Sequence, residues 1–180
     1  MDSYQSVIDR IAQSGGVVML VGGLDSGKTT LGRSLAVSGL RAGHTVAFID
    51  ADLAQKTVGP PACAGLRLLH GEADLDPAAT LATDSIYFVG ATSPQGQLLP
   101  LVVGTGMLLD RARDLGADLV VVDTSGLVSG VYGQILKYHK VERLRPDVVI
   151  GLQRGEELDP ILGIVRRFFA TDVITLPVPA

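Results

Sequence analysis

The segment that decides the fold spans residues 16–31 and reads GVVMLVGGLDSGKTTL. Its apolar run at 17–21 predicts a fully buried strand, and the pattern at 28–41, with Leu31 and Leu35 on one face, predicts a helix that is ended by Gly43. Between strand and helix, residues 22–29 fit the pattern G-x-x-x-x-G-K-[ST]. This pattern is specific for phosphate binding when a strand precedes it and a helix follows it, as they do here.

The residue types of this loop suit a polyphosphate. Glycines allow the backbone to wrap so that its N–H groups point at phosphate oxygens, and the following helix adds the positive end of its dipole. Lys28 supplies a mobile positive charge for the β and γ phosphates, and the Thr29 hydroxyl can bind Mg²⁺. We therefore predict that Mg²⁺ with ATP or GTP is bound by Gly22, Gly23, Leu24, Asp25, Ser26, Gly27, Lys28, Thr29 and Thr30.

The rest of the chain alternates predicted strands and helices. Apolar runs predict strands at residues 46–49, 86–89, 119–122, 148–152 and 173–176. Helical spacing predicts an opening helix with Val7, Ile8 and Ile11, a helix that ends near Leu115, a helix with Ile135, Tyr138, Val141 and Leu144, and a helix between the last two strands. Continuous apolar strands indicate a sheet that is covered on both faces. The predicted fold class is α/β, a three-layer P-loop NTPase fold with a mostly parallel sheet, and residues 1–180 are predicted to form one such domain.

The composition excludes several classes of protein. Lys and Arg number 15 and Asp and Glu 19, so the net charge of −4 argues against broad charge-driven binding of nucleic acid, though not against a local basic groove. The single cysteine, Cys63, excludes an internal disulfide and a cysteine zinc cluster. The first ten residues lack the apolar core of a signal peptide, and prolines and glycines interrupt the uncharged stretch 86–109. We expect a cytoplasmic protein that does not bind membranes.

Two acidic sites follow predicted strands. Asp50 and Asp52 come directly after the strand at 46–49, and Asp123 follows the strand at 119–122. Ligands of open α/β sheets gather at the carboxyl ends of strands, so both sites are expected beside the phosphate loop. A carboxylate there can hold Mg²⁺ or accept a proton from an attacking hydroxyl.

Four segments together resemble the P-loop domain of the polynucleotide 5′-hydroxyl kinases related to the RNA kinase subunit of the pre-mRNA cleavage complex. They are GGLDSGKTTL at 22–31, IDADLAQKTVGPP at 49–61, VGATSPQGQLLPL at 89–101 and VVDTSGLVSGVYGQILKYHK at 121–140. The similarity extends over about residues 15–177. It implies transfer of the γ-phosphate of ATP or GTP to a 5′-hydroxyl of RNA or DNA.

The resemblance also implies roles for individual residues. Lys28 and Thr29 would hold the phosphates and Mg²⁺, Asp52 would activate the 5′-hydroxyl, and Asp50 would support Asp52 or the metal. Lys28 and Asp52 are thus the predicted catalytic residues, and Thr29, Asp50 and Asp123 are the predicted metal ligands. The polynucleotide end would be bordered by Gln55, Thr92, Ser93, Pro94, Thr124, Ser125 and Gly126.

The chain departs from this family at a few positions. Leu127 stands where the eukaryotic RNA kinases have a tryptophan that clamps the terminal nucleotide, and the sequence contains no tryptophan. Ala54 stands where members usually have glycine. The family places arginines of a lid over the phosphates, and the candidates here are Arg154, Arg166 and Arg167.

Two other functions are open. A non-kinase NTP-dependent switch or assembly factor would use Asp123 and Gly126 to sense the γ-phosphate, and a kinase for a small metabolite would use the same parts. Leu127 and the acidic composition favour these two, whereas the pair of Asp50 and Asp52 favours the polynucleotide kinase.

A basic stretch lies on one predicted helix. For this stretch we expect a solvated face, and contact with a polynucleotide backbone is the alternative. It consists of Lys137, Lys140, Arg143 and Arg145.

Overall fold

A computed structural model describes residues 4–76 and 82–179 of the chain, so residues 1–3, 77–81 and 180 of the predicted domain lie outside the described range. The strands are β1 (Gly16–Gly22), β2 (Val46–Ala51), β3 (Cys63–Leu69), β4 (Ser85–Phe88), β5 (Leu119–Thr124), β6 (Val148–Gln153) and β7 (Asp172–Pro177). The helices are α1 (Tyr4–Ser14), α2 (Lys28–Arg41), α3 (Leu98–Asp114), α4 (Gly130–Leu144) and α5 (Asp159–Phe168), with a 3₁₀ turn at Glu72–Leu75.

The strands form one sheet in the order β4-β3-β2-β5-β1-β6-β7. All neighbours from β2 to β7 are parallel, and β3 is antiparallel to both β2 and β4. The prediction of a mostly parallel sheet is therefore confirmed. Strand β3 was missed because the preceding Gly59, Pro60 and Pro61 indicate a loop and the strand itself is interrupted by Gly65 and Arg67.

Helices cover the sheet on both faces. Helices α1 and α2 contribute to one apolar core, and α3, α4 and α5 contribute to the other. Residues of β1, β2 and β5 face both cores in alternation, which explains why these strands are continuously apolar. None of the helices in the described residues combines the length and the apolar character needed to cross a bilayer.

Helix α4 differs from its prediction. Its buried face consists of Gly133, Leu136, Lys137, Lys140, Val141 and Leu144, whereas Ile135 is 39% exposed. An apolar repeat of three residues drifts around a helix of 3.6 residues per turn, so Ile135 and Tyr138 do not share the face of Val141 and Leu144. The predicted helix is present, but of the four residues that predicted it only Val141 and Leu144 lie on its buried face.

The expected solvated face is wrong for the two lysines of the basic stretch and correct for its two arginines. Lys137 and Lys140 are both 0% exposed, because α4 packs against α3 and α5 and turns both lysines into the protein. Arg143 instead pairs at the surface with Asp110 of α3, and Arg145 is exposed beyond the end of the helix. Burial, followed by the neighbouring Lys140, lowers the pKa of Lys137 well below its usual range.

Two glycines in helices provide a matched test of this packing. A Cβ at Gly104 of α3 would lie 2.2 Å from the ring of Tyr87, whereas a Cβ at Gly163 of α5 would meet nothing within 4 Å. We expect Gly104→Ala to lower the free energy of unfolding by about 1–3 kcal/mol through overpacking. Gly163→Ala should raise it by about 0.5–1 kcal/mol, because glycine is unfavourable within a helix. Denaturant unfolding measures both, and equal effects of the two changes would contradict the described packing.

Lys140 provides a test of charge burial. Its Nζ is buried without a hydrogen-bond partner in the described residues, and burial lowers its pKa from 10.5 to about 7. The unfolded chain therefore binds a proton that the folded chain lacks between pH 7 and 10.5, so stability rises with pH in that interval. We expect Lys140→Met to stabilise the fold by about 2–4 kcal/mol at pH 7 and by much less near pH 10. Unfolding curves at both pH values check this, and a gain independent of pH would contradict it.

Candidate functional site

The sheet topology brings the predicted site residues to one edge. Strands β1, β2 and β5 are parallel, so the phosphate loop after β1, the acidic segment at the end of β2 and the loop after β5 lie side by side. They surround a cavity of about 360 Å³. Its lining residues are Leu24, Asp25, Ser26, Gly27, Lys28, Thr29, Thr30, Asp52, Gln55, Asp123, Thr124 and Gly126.

The phosphate loop has the backbone that its sequence predicts. Gly27 has a φ of 89°, in the left-handed region that favours glycine, and α2 begins at the next residue. Lys28 is buried, and its Nζ donates hydrogen bonds to the Gly23 carbonyl oxygen at 2.6 Å and to Ser26 Oγ at 3.3 Å. Burial lowers the pKa of Lys28, an effect that Asp123 partly offsets. The ammonium group thus lies against the loop where phosphates would bind.

Thr29 and Asp123 form the centre of the candidate magnesium site. Thr29 Oγ1 donates to Asp123 Oδ2 at 2.6 Å, whereas Asp123 Oδ1 is buried with no partner in the described residues. Burial, reinforced by Asp50, raises the pKa of Asp123 to about 6. A hydroxyl and a carboxylate with a free oxygen fit Mg²⁺, which takes its other ligands from phosphates and water. No cluster of three His, Cys, Asp or Glu side chains fit for a metal occurs among residues 4–76 and 82–179.

Asp50 holds the backbone of the loop that follows β2. Its Oδ2 accepts hydrogen bonds from the N–H groups of Thr57 and Val58, and its Oδ1 accepts from the N–H of Asp52 and lies 3.1 Å from Lys56 Nζ. Both oxygens are thus occupied in folding the loop that follows β2. Its role as a metal ligand stays a prediction, and these contacts favour an anchoring role.

Asp52 is held with one oxygen available. Its Oδ1 accepts hydrogen bonds from the N–H groups of Ala54 at 2.9 Å and Gln55 at 3.0 Å. No hydrogen bond to its Oδ2 is found in the part of the chain that the structure describes. Lys56 Nζ donates to the Asp52 carbonyl oxygen at 2.8 Å, and this hydrogen bond holds the backbone of the loop that follows β2. Asp52 and Gln55 both line the cavity.

The predicted acceptor-side residues separate into two groups. Gln55, Thr124 and Gly126 line the cavity, and Ser125 is buried beside it. Thr92, Ser93 and Pro94 do not line it; they follow β4, which is parallel to β2, so they lie at the same edge of the sheet beyond β3. Leu127 packs against the core.

Of the three candidate lid arginines, Arg154 alone contacts the phosphate loop within the described residues. Its Nη2 donates to the Asp25 carbonyl oxygen at 3.0 Å. Glu157 Oε1 accepts from the Arg154 N–H and Oε2 from the Gly155 N–H, and these hydrogen bonds lower the pKa of Glu157. Arg166 instead donates to Thr175 of β7, and Arg167 lies over the ring of Phe168.

Sequence reasoning missed Lys56 and Lys137 as parts of this site. Lys137 Nζ donates to Thr124 Oγ1 at 2.8 Å and to the Ser125 carbonyl oxygen at 2.7 Å. A signal for Lys137 was present, because it is adjacent to the buried Leu136 and four residues before Val141 on a helix. For Lys56 nothing in the local pattern indicated burial.

Comparisons with known proteins show the family of the chain. The sequence profile of the family described as the mRNA cleavage and polyadenylation factor CLP1 P-loop matches residues 22–180. The polyribonucleotide 5′-hydroxyl-kinase of Methanocaldococcus jannaschii is 41% identical over 145 residues, which cover 81% of this chain and 39% of that protein. The corresponding kinase of Thermococcus kodakarensis is 34% identical over 166 residues, which cover 89% of this chain and 46% of that protein.

Solved structures agree on the fold. Wild-type Clp1p in complex with Pcf11p has a TM-score of 0.72 to this chain at 16% identity, with 96% of this chain and 46% of that chain covered. At that identity the likeness shows the fold alone. The chain spans about two-fifths of the length of the curated relatives that it matches first. The profile match over residues 22–180, with the identity to the archaeal kinases, shows that the chain belongs to the CLP1 P-loop family.

Proposed function

We propose that this chain is the phosphotransfer domain of a kinase that moves the γ-phosphate of ATP or GTP to the 5′-hydroxyl of a polynucleotide. The observation that carries the proposal is that Asp52, with its Oδ2 available, lines the same cavity as Lys28, Thr29 and Asp123. A nucleotide-binding loop alone holds a triphosphate, whereas a carboxylate facing the same cavity can also receive a proton.

The nucleotide is held by the phosphate loop. Its backbone N–H groups and the N-terminus of α2 surround the phosphates, and Lys28 moves from the Gly23 carbonyl to the β and γ phosphates. Thr29 and Asp123 would hold Mg²⁺, which would supply positive charge to offset the negative charge of the phosphates. The free Oδ1 of Asp123 supports this assignment.

Asp52 accepts the proton of the attacking hydroxyl. The 5′ oxygen forms a bond to the γ-phosphorus, the bond from that phosphorus to the β–γ bridging oxygen breaks, and the nucleoside diphosphate leaves. The proton passes to Asp52 Oδ2, while Oδ1 stays bonded to the N–H groups of Ala54 and Gln55. Asp50 and Lys56 keep the loop in place during this step.

Arg154 is the arginine that we propose for the lid over the transferred phosphoryl group. Its guanidinium group already contacts the phosphate loop at Asp25, on a short segment that Glu157 fixes. A positive charge there stabilises the transition state more than the bound substrate.

The acceptor approaches from the side of β2 and β4. Asp52 and Gln55 stand at the cavity, and Thr92, Ser93 and Pro94 lie farther along the same edge of the sheet. A polynucleotide crosses this edge with its 5′ end at Asp52. The names of the archaeal relatives, polyribonucleotide 5′-hydroxyl-kinases, support RNA as the acceptor.

An NTP-dependent switch is the second candidate. The loop after β5 presses against the phosphate loop, since a Cβ at Gly126 would lie 2.9 Å from the Leu24 nitrogen. Such a contact suits a sensor of the γ-phosphate. The switch does not require the free carboxylate oxygen of Asp52, whereas the kinase does. The two functions therefore predict different effects of a substitution at Asp52.

Asp52→Asn separates the two functions. The amide keeps the size of the side chain but removes its basic oxygen, so we expect phosphate transfer to 5′-hydroxyl RNA to fall by about 10²–10⁴-fold, with nucleotide affinity nearly unchanged. Transfer of label from the γ-phosphate of ATP and GTP to RNA, DNA and water measures the effect. Asp114→Asn, an exposed carboxylate at the end of α3, is the control. Label released only as free phosphate by the wild type would favour the switch.

Lys28→Ala tests the nucleotide site itself. Removing the ammonium group should abolish binding of Mg·ATP and Mg·GTP, or transfer from them, while the thermal midpoint of unfolding changes little. Calorimetric titration with each nucleotide and thermal unfolding of the ligand-free protein give the two readouts. Unchanged affinity together with unchanged turnover would contradict the role of the loop.

A further inference from the structure

Lys137 connects helix α4 to two strands of the site. Its Nζ donates to Thr124 Oγ1 and to the Ser125 carbonyl oxygen, and Thr124 Oγ1 in turn donates to the Leu20 carbonyl oxygen of β1 at 2.7 Å. The single hydroxyl hydrogen of Thr124 goes to Leu20, so its oxygen is free to accept from Lys137. A fully buried amine therefore fixes the end of β5 relative to β1.

The bond to Ser125 determines the orientation of the next N–H group. The Ser125 carbonyl and the Gly126 N–H belong to one peptide unit, which is trans and planar, so the two point in opposite directions. Lys137 holds the carbonyl oxygen from the side of α4. The Gly126 N–H consequently points away from α4, and no hydrogen bond from it is found among residues 4–76 and 82–179.

Gly126 is confined from its other side by the phosphate loop. A Cβ there would lie 2.9 Å from the Leu24 nitrogen and 3.3 Å from the Gly23 carbonyl carbon. Gly126 also lines the cavity with Lys28 and Thr29. The peptide between Ser125 and Gly126 is thus fixed between α4 and the phosphate loop, with an unused donor beside the cavity.

We propose that Lys137 is a positioning residue that aims the Gly126 N–H at an oxygen of the γ-phosphoryl group. The inference rests on nucleotide binding in the proposed function but not on the identity of the acceptor. A donor at that position contacts a triphosphate and its transition state, and a diphosphate has no oxygen there. Lys137 therefore contributes to discrimination between the triphosphate and the diphosphate and to the rate of transfer.

The test compares Lys137→Met with Lys140→Met. Both lysines are fully buried on the same helix, but Lys140 Nζ has no hydrogen-bond partner in the described residues. Calorimetry with Mg·ADP and with a non-hydrolysable Mg·ATP analogue gives the ratio of the two affinities for each variant. We expect the preference for the triphosphate to fall about 10-fold in Lys137→Met and to stay unchanged in Lys140→Met. Transfer should fall about 10–100-fold in Lys137→Met, since removing one such donor outright costs about 10²–10³.

A general loss of structure would weaken both nucleotides together, so an unchanged ratio in Lys137→Met would overturn the proposal. These binding measurements contain no acceptor, so they are independent of whether the protein phosphorylates RNA.

A second measurement follows the Gly126 N–H in the wild type, and a variant is needed only to assign its resonance. Labelling with ¹³C-carbonyl serine and ¹⁵N-glycine selects the Ser–Gly peptides, of which the sequence contains five. Ser125→Ala removes the Gly126 resonance from this set and so identifies it. We expect the Gly126 amide proton to shift more with the Mg·ATP analogue than with Mg·ADP. Equal shifts with the two nucleotides would contradict the proposal.

Discussion

The position of β5 between β1 and β2 is the constraint on which the site depends. Parallel pairing matches Val122 with Met19 of β1 and Asp123 with Asp50 of β2, and every residue of β5 is buried. This register brings Asp123 to the Thr29 hydroxyl and sets the two acids side by side. A slip of one residue would turn Asp123 to the other face of the sheet, because side chains alternate along a strand. The phosphate loop and the acidic pair therefore form one site only in this register.

The parts of the fold with strong local signals could be predicted from the sequence. Helix α2 begins and ends as its pattern indicates, and the strands of the parallel sheet appear as continuous apolar runs. Strand β3 was not predicted, because Gly65 and Arg67 interrupt its apolar run and its pairing with β2 and β4 is not visible in local sequence. The inner face of α4 was also missed, because lysine is rarely fully buried and its pattern normally indicates solvent.

For the site, the sequence indicated which residues lie together at the edge of the sheet. It did not indicate which of their polar atoms are left without a hydrogen bond. Asp50 and Asp52 look equivalent in the segment DAD, yet both oxygens of Asp50 hold the following loop whereas Asp52 keeps one oxygen unbonded. Likewise Thr124 appears beside the cavity, but its hydroxyl is used between Lys137 and Leu20. Such differences arise from long-range contacts, which local spacing does not encode. The family resemblance names Asp52 as the candidate proton acceptor, and these hydrogen bonds add a physical reason that the local pattern lacks.

Buried lysines and buried acids lie close together in and behind this site. Asp50 lies against Lys56, Asp123 has Lys28 among its neighbours, and Lys137 and Lys140 lie behind the loop after β5. Burying four amines destabilises the fold, since each loses its hydration and Lys140 gains no hydrogen bond in the described residues. Of these four amines, Lys28 lines the cavity, where the low dielectric would strengthen its contact with a bound phosphate. Burial lowers the pKa values of Lys137 and Lys140, so Lys137 serves the loop after β5 as a hydrogen-bond donor rather than as a charge that faces the cavity.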